Sequence, residues 1–275
     1  IRMCEPISKW SQTILAAENV TEIVRKAFKI AESEKPGLCV VELPEDIAKK
    51  EVDDAPMAPT KVRRPGADHK AVKQAAELIA VAKNPIILAG NGAIRKRAAS
   101  QLSRLAHNLG VGVVNTFMGK GAITMDDEHC LYTMGLGSGD YNNLAFDTAD
   151  LVISCGYDLV EYAPSSWNRV NKDGKKIIHM DFWPAEVDRD YMPTVEIVGD
   201  LADGLWQLNE IIESDHVGKL PLFDINTRSN LRATLTEDFA AEKDDNSCPM
   251  KPQKILWDVR QVMGPEDVLL SDVGA

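Results

Sequence analysis

The segment Pro85-Ile86-Ile87-Leu88-Ala89-Gly90-Asn91-Gly92 predicts the fold of this chain. It begins with an unbroken apolar run, which is typical of a strand that is buried on both faces of a parallel sheet. Glycines follow immediately, and apolar residues with helical spacing then extend from Ala93 to Leu109. A buried strand that turns sharply into a helix is the building unit of α/β proteins.

Similar units surround this segment. A helical pattern precedes it at His69 to Val81, and another follows the last strand at Leu201 to Ile212. Further short apolar strands are predicted at Val111–Val114, Leu151–Gly156, Lys176–Asp181 and Val195–Val198. Such strands must be covered on both faces, so the pattern predicts a doubly wound parallel sheet of the α/β class, with a Rossmann-like middle domain at residues 69–213.

The two ends of the chain resemble incomplete α/β units. Residues 1–50 contain one helical pattern, Ala17–Ala31, and one apolar strand, Leu38–Leu43. Residues 251–275 contain a helical pattern followed by an apolar run that starts at Val268. One helix cannot cover both faces of a strand, and we therefore expect partial α/β domains to flank the middle domain.

Two polar segments are predicted to connect these parts. Residues 51–68 carry Pro56, Pro59 and Pro65 and show no periodicity, as is typical of a linker. Residues 214–250 include a charged helical pattern, but no apolar face is evident in it. We interpret both segments as linkers.

The composition excludes several classes of partner. The 275 residues include 31 Lys and Arg against 42 Asp and Glu, giving a formal net charge of −11. That sign is wrong for a surface that follows nucleic-acid phosphates, so no nucleic acid is expected as a partner. No apolar run reaches the roughly 18 residues of a membrane-spanning helix, and no membrane association is predicted.

The cysteines and histidines predict neither a metal site nor a catalytic residue. The five cysteines are scattered without a Cys-x-x-Cys pair, and the five histidines are isolated in the sequence. This use of cysteine is typical of a reducing compartment, so we expect a cytoplasmic protein. His179, inside an apolar strand, is interpreted as a packed strand residue.

The turn Gly90-Asn91-Gly92 has two interpretations. It supplies the first two glycines of a dinucleotide-binding fingerprint, but Arg95 stands where the third glycine belongs. The next strand also ends at Asn115 rather than at an acidic residue that would bind a ribose hydroxyl. A tight turn that needs glycine for its backbone geometry is the favoured interpretation.

The loop that begins at Gly156 is the second candidate for a site. It leaves the carboxyl end of a central strand, which is where open α/β sheets bind ligands. Its aromatic residues Tyr157 and Tyr162, together with Trp167, are expected to line a cleft or to form a domain or subunit contact. The sequence leaves both alternatives open.

Several short motifs, in this order, resemble the thiamine-diphosphate-dependent enzymes that include acetolactate synthase and pyruvate oxidase. They are Leu43–Asp46, Thr116–Ala122, Val198–Asp200 and Leu269–Ala275. The segments Cys155–Asn168 and Asp188–Tyr191 are most similar to acetolactate synthases of the catabolic type. This resemblance implies that residues 1–50 end a pyrimidine-binding domain and that residues 251–275 begin a diphosphate-binding domain.

The resemblance also implies a reaction and its cofactors. The complete enzyme would join two pyruvates into 2-acetolactate with release of CO₂, as a homodimer or homotetramer that uses thiamine diphosphate and Mg²⁺. Val273, Gly274 and Ala275 match the turn that approaches the cofactor diphosphate. The activating glutamate is expected before Ile1 and the magnesium motif after Ala275, so the chain alone is expected to be inactive.

Flavin-containing relatives hold FAD in the middle domain. The corresponding residues here are Gly90, Asn91, Gly92, Phe117, Met118, Gly119, Gly156, Tyr157 and Asp181. Biosynthetic synthases carry an arginine in the loop where this chain has Gly156-Tyr157-Asp158, and an acidic residue there would repel a pyrophosphate. The flavin-free type with an empty or collapsed cleft is therefore expected. A flavin-containing sibling, another 2-oxo-acid decarboxylase and a non-catalytic nucleotide-binding module are the alternatives.

Overall fold

The computed structural model describes residues 1–59, 63–135, 142–170, 174–216 and 225–270. The chain divides into two compact units, with the boundary between Gly66 and Ala67. The described residues contain no helix that is both long enough and apolar enough to cross a membrane.

The first unit is built on two parallel strands. Its elements are β1 (Trp10–Thr13), α1 (Val20–Glu32), β2 (Cys39–Glu42) and α2 (Glu45–Ala48). Trp10 lies opposite Cys39 in the ladder, and a small apolar core contains Ile14, Ile23 and Ile47. The sequence analysis missed β1, because Trp10-Ser11-Gln12-Thr13 contains no apolar run and shows no full alternation.

The second unit contains a six-stranded parallel sheet among its described residues. Its strands are β3 (Pro85–Ala89), β4 (Val113–Thr116), β5 (Cys130–Met134), β6 (Leu151–Cys155), β7 (Lys176–Asp181) and β8 (Val195–Val198). Its helices are α3 (His69–Val81), α4 (Lys96–Leu109), α5 (Asn143–Thr148), α6 (Pro164–Trp167), α7 (Leu201–Ile211), α8 (Ile225–Ala240) and α9 (Pro252–Val262). The strand order is β5-β4-β3-β6-β7-β8, which confirms the predicted doubly wound α/β sheet.

Strand β3 lies in the middle of the sheet and contacts both layers of helices. Successive side chains of a strand point to opposite faces. Ile87 belongs to the core that contains residues of α3, α4 and α7. Leu88 belongs to the opposite core, which includes Phe146 of α5 and Trp167 of α6. Every residue of β3 is buried, as the unbroken apolar run predicts.

Strand β5 and its covering helix differ from the sequence prediction. The sequence analysis predicted no strand at Cys130–Met134 and no core in the linker that follows residue 213. In the structure Leu235 of α8 is 3% exposed, and Arg232 donates a hydrogen bond of 2.5 Å to the Cys130 carbonyl. Helix α8 therefore covers the edge strand, and this part of the predicted linker belongs to the second unit.

The strand predicted from Val268 is not formed in the described residues. Val268 and Leu270 are 82% and 88% exposed, and neither is part of a sheet. An apolar run predicts a strand only if other elements cover its faces, and the described residues provide no such cover. Residues 271–275 lie outside the described part of the chain.

The packing of α8 predicts the cost of truncating Leu235. Leu235→Ala should lower the free energy of unfolding by about 2–5 kcal/mol, because it removes a buried side chain from the core. The same substitution at Leu256 of α9, which is 54% exposed, should change it by less than about 0.5 kcal/mol. Urea denaturation measures both variants, and equal effects would show that α8 does not pack on the sheet.

Candidate functional site

The candidate site lies at the carboxyl edge of the sheet in the second unit. Strands β3, β4, β6 and β7 are parallel, so their carboxyl ends meet at one edge. The chain leaves β3 towards β4 on one side, whereas β6 pairs with the other side of β3. Ligands of open α/β sheets bind at such a switch point.

The loops after β3 and β6 pack directly against each other. The Gly92 amide donates a hydrogen bond of 2.8 Å to the Gly156 carbonyl. A Cβ atom on Gly92 would lie 2.8 Å from the Gly156 Cα, and Gly156 has a φ of +60°. Neither position accommodates a side chain without a backbone shift. The geometry at Gly90–Gly92 is that of a tight turn with close backbone approach.

Glu161 ties the ends of three strands together. Its side chain is almost fully buried, with 3% of the residue exposed. The carboxylate accepts hydrogen bonds of 3.0 Å from the Asn91 and Asp158 amides, and a further one from the Thr116 hydroxyl. The Thr116 hydroxyl in turn accepts a hydrogen bond of 2.9 Å from the Gly119 amide. One carboxylate therefore connects the loops that follow β3, β4 and β6.

Burial raises the pKa of the Glu161 carboxyl above its usual range, although the hydrogen bonds from Thr116, Asn91 and Asp158 act in the opposite direction. Each of these donors favours the charged form, whereas removal from water penalises it. The group therefore retains its proton to a higher pH in the folded chain than in the unfolded chain.

Backbone amides at this edge are the groups that would bind a phosphate. Here Glu161 already accepts the Asn91 and Asp158 amides. A pyrophosphate would have to displace this carboxylate and would be repelled by it if it stayed. The hydrogen bonds of Glu161 therefore do not fit the binding of FAD at these amides. That the protein binds no flavin stays a prediction.

Phe117, Met118 and Asp181, which were also predicted for the cleft, lie apart from these hydrogen bonds of Glu161. Phe117 and Met118 are 39% and 42% exposed. Asp181 accepts hydrogen bonds from the amides of Phe182 and Trp183, at 2.5 Å and 3.4 Å, and so caps its own loop. The residues predicted to contact thiamine diphosphate, Val273, Gly274 and Ala275, lie outside the described part of the chain.

Two of the three aromatic residues predicted for a cleft or an interface, Tyr157 and Trp167, are buried in one cluster with Tyr191, and the third, Tyr162, is partly buried against the same core. Tyr157, Trp167 and Tyr191 are 3%, 0% and 2% exposed, and their ring centroids lie 5.6–6.2 Å apart. Trp167 Nε1 donates a hydrogen bond of 3.2 Å to the Tyr157 hydroxyl. His179, within 2.8 Å of the Tyr191 hydroxyl, is packed as predicted. The cluster therefore helps to hold the loop that carries Glu161 against the sheet.

Glu161 is the main residue that sequence reasoning did not select. It was visible only as one acidic residue in an aromatic loop. The one sequence signal that pointed to it was its place shortly after a central strand, at the edge where α/β sheets bind ligands. Its role depends on donors that are distant in the sequence.

Comparison with known proteins identifies relatives over the whole chain. Residues 72–208 match a family described as "Thiamine pyrophosphate enzyme, central domain". The chain is 30% identical to a catabolic acetolactate synthase of Raoultella terrigena over 100% of the chain and 49% of that protein. A glyoxylate carboligase of Escherichia coli O157:H7 is 28% identical over 99% of the chain and 46% of that protein. A probable acetolactate synthase large subunit of Methanococcus aeolicus is 31% identical over 98% and 47%. The chain thus spans about half the length of the curated relatives it matches.

The raised pKa of Glu161 predicts a specific pH dependence of stability. The folded chain binds this proton more tightly than the unfolded chain, so the stabilisation is complete below the ordinary pKa and is lost as the pH rises through the folded-state value. Glu161→Gln removes the titration but keeps an acceptor for the Asn91 and Asp158 amides. The stability of the native chain relative to this variant should therefore fall as the pH rises above the ordinary pKa of a glutamate carboxyl.

Urea denaturation at several pH values measures this difference. Glu77→Gln, at an exposed position of α3, is the matched control and should show a smaller dependence. A stability difference between native chain and Glu161→Gln that stays constant or grows with pH would contradict the assignment.

Proposed function

The chain belongs to the thiamine pyrophosphate enzyme family through its central domain at residues 72–208, and on that premise we propose that the protein is a carboligase that forms 2-acetolactate. The reaction joins two pyruvate molecules and releases CO₂. Thiamine diphosphate, when bound, supplies the electron sink for the decarboxylation. We also propose Mg²⁺ as the ion that binds the cofactor diphosphate, and a cytoplasmic homodimer or homotetramer as the working form.

The observation that carries this proposal is the extent of the similarity. The 30% identity to the catabolic acetolactate synthase of Raoultella terrigena covers all of the chain, including residues on both sides of the segment 72–208. The similarity therefore extends over the segments before residue 72 and after residue 208 and is not restricted to the middle domain. A shared middle domain alone would not imply a shared function. Similarity beyond that domain supports an enzyme over a non-catalytic nucleotide-binding module.

The contacts of Glu161 support a flavin-free enzyme. A buried carboxylate holds the amides at the switch point of the sheet, where a flavin diphosphate would need them. In this proposal the middle domain positions the neighbouring domains and contributes no reacting group. The contact of Val273, Gly274 and Ala275 with the thiamine diphosphate belongs to the same proposal and lies outside the described residues.

A carboligase that uses glyoxylate is the second candidate. It is favoured by the glyoxylate carboligase of Escherichia coli O157:H7, which is 28% identical over 99% of the chain. Pyruvate and glyoxylate differ by one methyl group, and an apolar pocket distinguishes such substrates by only about 1–3 kcal/mol. A flavin-containing sibling and another 2-oxo-acid decarboxylase are further alternatives.

A product assay distinguishes these candidates. The complete natural protein that contains this sequence is supplied with thiamine diphosphate and Mg²⁺ and with either pyruvate or glyoxylate, in the presence and absence of FAD. We expect 2-acetolactate from pyruvate at a rate that FAD does not change. The 275-residue chain, assayed alone as a control, is expected to form no product.

Other outcomes have defined meanings. A three-carbon product formed preferentially from glyoxylate would favour the second candidate, and a rate that depends on FAD would favour the flavin-containing sibling. Absence of CO₂ release with either substrate would contradict the enzyme proposal.

A further inference from the structure

Two histidines and a glutamate meet at the amino edge of the sheet, opposite the edge that carries Glu161. His107 lies in the last turn of α4. Glu128 and His129 immediately precede β5. A helix that follows a parallel strand runs back along the sheet, so its carboxyl end arrives where the next strands begin. The fold thus joins residues that are far apart in the sequence.

The spacing of these side chains suits a metal ion. One possible ligand atom from each of His107, Glu128 and His129 lies within 4.8 Å of the others. His129 Nε2 is 4.0 Å from Glu128 Oε1. Two ligands of a tetrahedral zinc ion, each about 2.0–2.2 Å from it, lie roughly 3.3–3.6 Å apart, which is a little less than this distance. Small side-chain rotations would bring all three groups into contact with one ion.

Neighbouring groups orient both imidazoles. His129, whose side chain is 5% exposed, has its Nδ1 atom 3.1 Å from the Val111 carbonyl oxygen. This contact favours the tautomer with a proton on Nδ1, so that the lone pair is on Nε2, the nitrogen nearer Glu128. His107 Nε2 lies 2.9 Å from a carboxylate oxygen of Asp127, which favours Nδ1 as its ligand atom. Metal-binding histidines are oriented by such carbonyl and carboxylate partners.

Asp127 contacts both the His107 side chain and the backbone of His129. Its second carboxylate oxygen accepts the His129 amide at 2.9 Å, so one side chain fixes both the segment before β5 and the imidazole of α4. The carboxyl end of α4 carries partial negative charge, which favours a nearby cation.

We propose that His107, Glu128 and His129 bind a divalent transition-metal ion of the zinc class. Two imidazoles and one carboxylate are ligands that Zn²⁺ accepts, with a fourth position available to water. Such an ion would link the end of α4 to the start of β5. The sequence analysis predicted no metal site, because the spacing of His107 and His129 follows no ligand motif.

Calorimetric titration of Zn²⁺ into the metal-stripped chain tests the proposal. We expect saturable binding of one ion, and a loss of affinity of at least about tenfold in His107→Gln and in Glu128→Gln. Both substituted side chains are exposed, so the variants should fold, and circular dichroism checks this. Co²⁺ in place of Zn²⁺ should give the visible absorption bands of a four-coordinate ion. Both variants should lose these bands.

Matched controls separate this site from other zinc-binding groups. His69→Gln removes a histidine of α3, and Cys248→Ser removes an exposed thiol; neither should change the affinity. Absence of saturable Zn²⁺ binding, equal affinity in the native chain and the His107 and Glu128 variants, or a loss confined to Cys248→Ser would each overturn the proposal.

Discussion

The carboxyl edge of the central sheet depends on one buried carboxylate. Glu161 is removed from water, and such a charge is stable only if hydrogen-bond donors replace the solvent. The donors come from Asn91, Asp158 and Thr116, each in or next to a different strand end. The carboxylate therefore fixes the relative positions of the loops after β3, β4 and β6, and the aromatic cluster beneath it holds its own loop in place.

This interaction also limits what the middle domain can bind. The close approach of Gly92 and Gly156 leaves no room for a side chain between the two loops, and the amides nearest the switch point already have an anionic partner. The amides that could bind a nucleotide phosphate in this fold are thus already hydrogen-bonded to Glu161. On the proposed function, the chemistry belongs to the cofactor and to the domains that hold it, and the middle domain serves as a spacer.

The sequence predicted most of the sheet but little of the site. Strands β3, β6 and β7 are apolar runs that must be buried, and their pattern identifies them without knowledge of the partners. Strand β1 is largely polar and β5 is interrupted by Thr133, so neither differs clearly from a loop. At Val268 the sequence predicted a strand that is not formed in the described residues. Burial of that apolar run depends on elements that the described residues do not provide. Glu161, like the pair His107 and His129, acquires its meaning only from residues that the fold brings near.

Titration of FAD into the purified chain tests the central claim most directly. If Glu161 occupies the amides at the switch point, flavin fluorescence and absorbance should show no saturable change. Stoichiometric, saturable binding with a shifted flavin spectrum would contradict this account, since the flavin diphosphate would then have displaced the carboxylate.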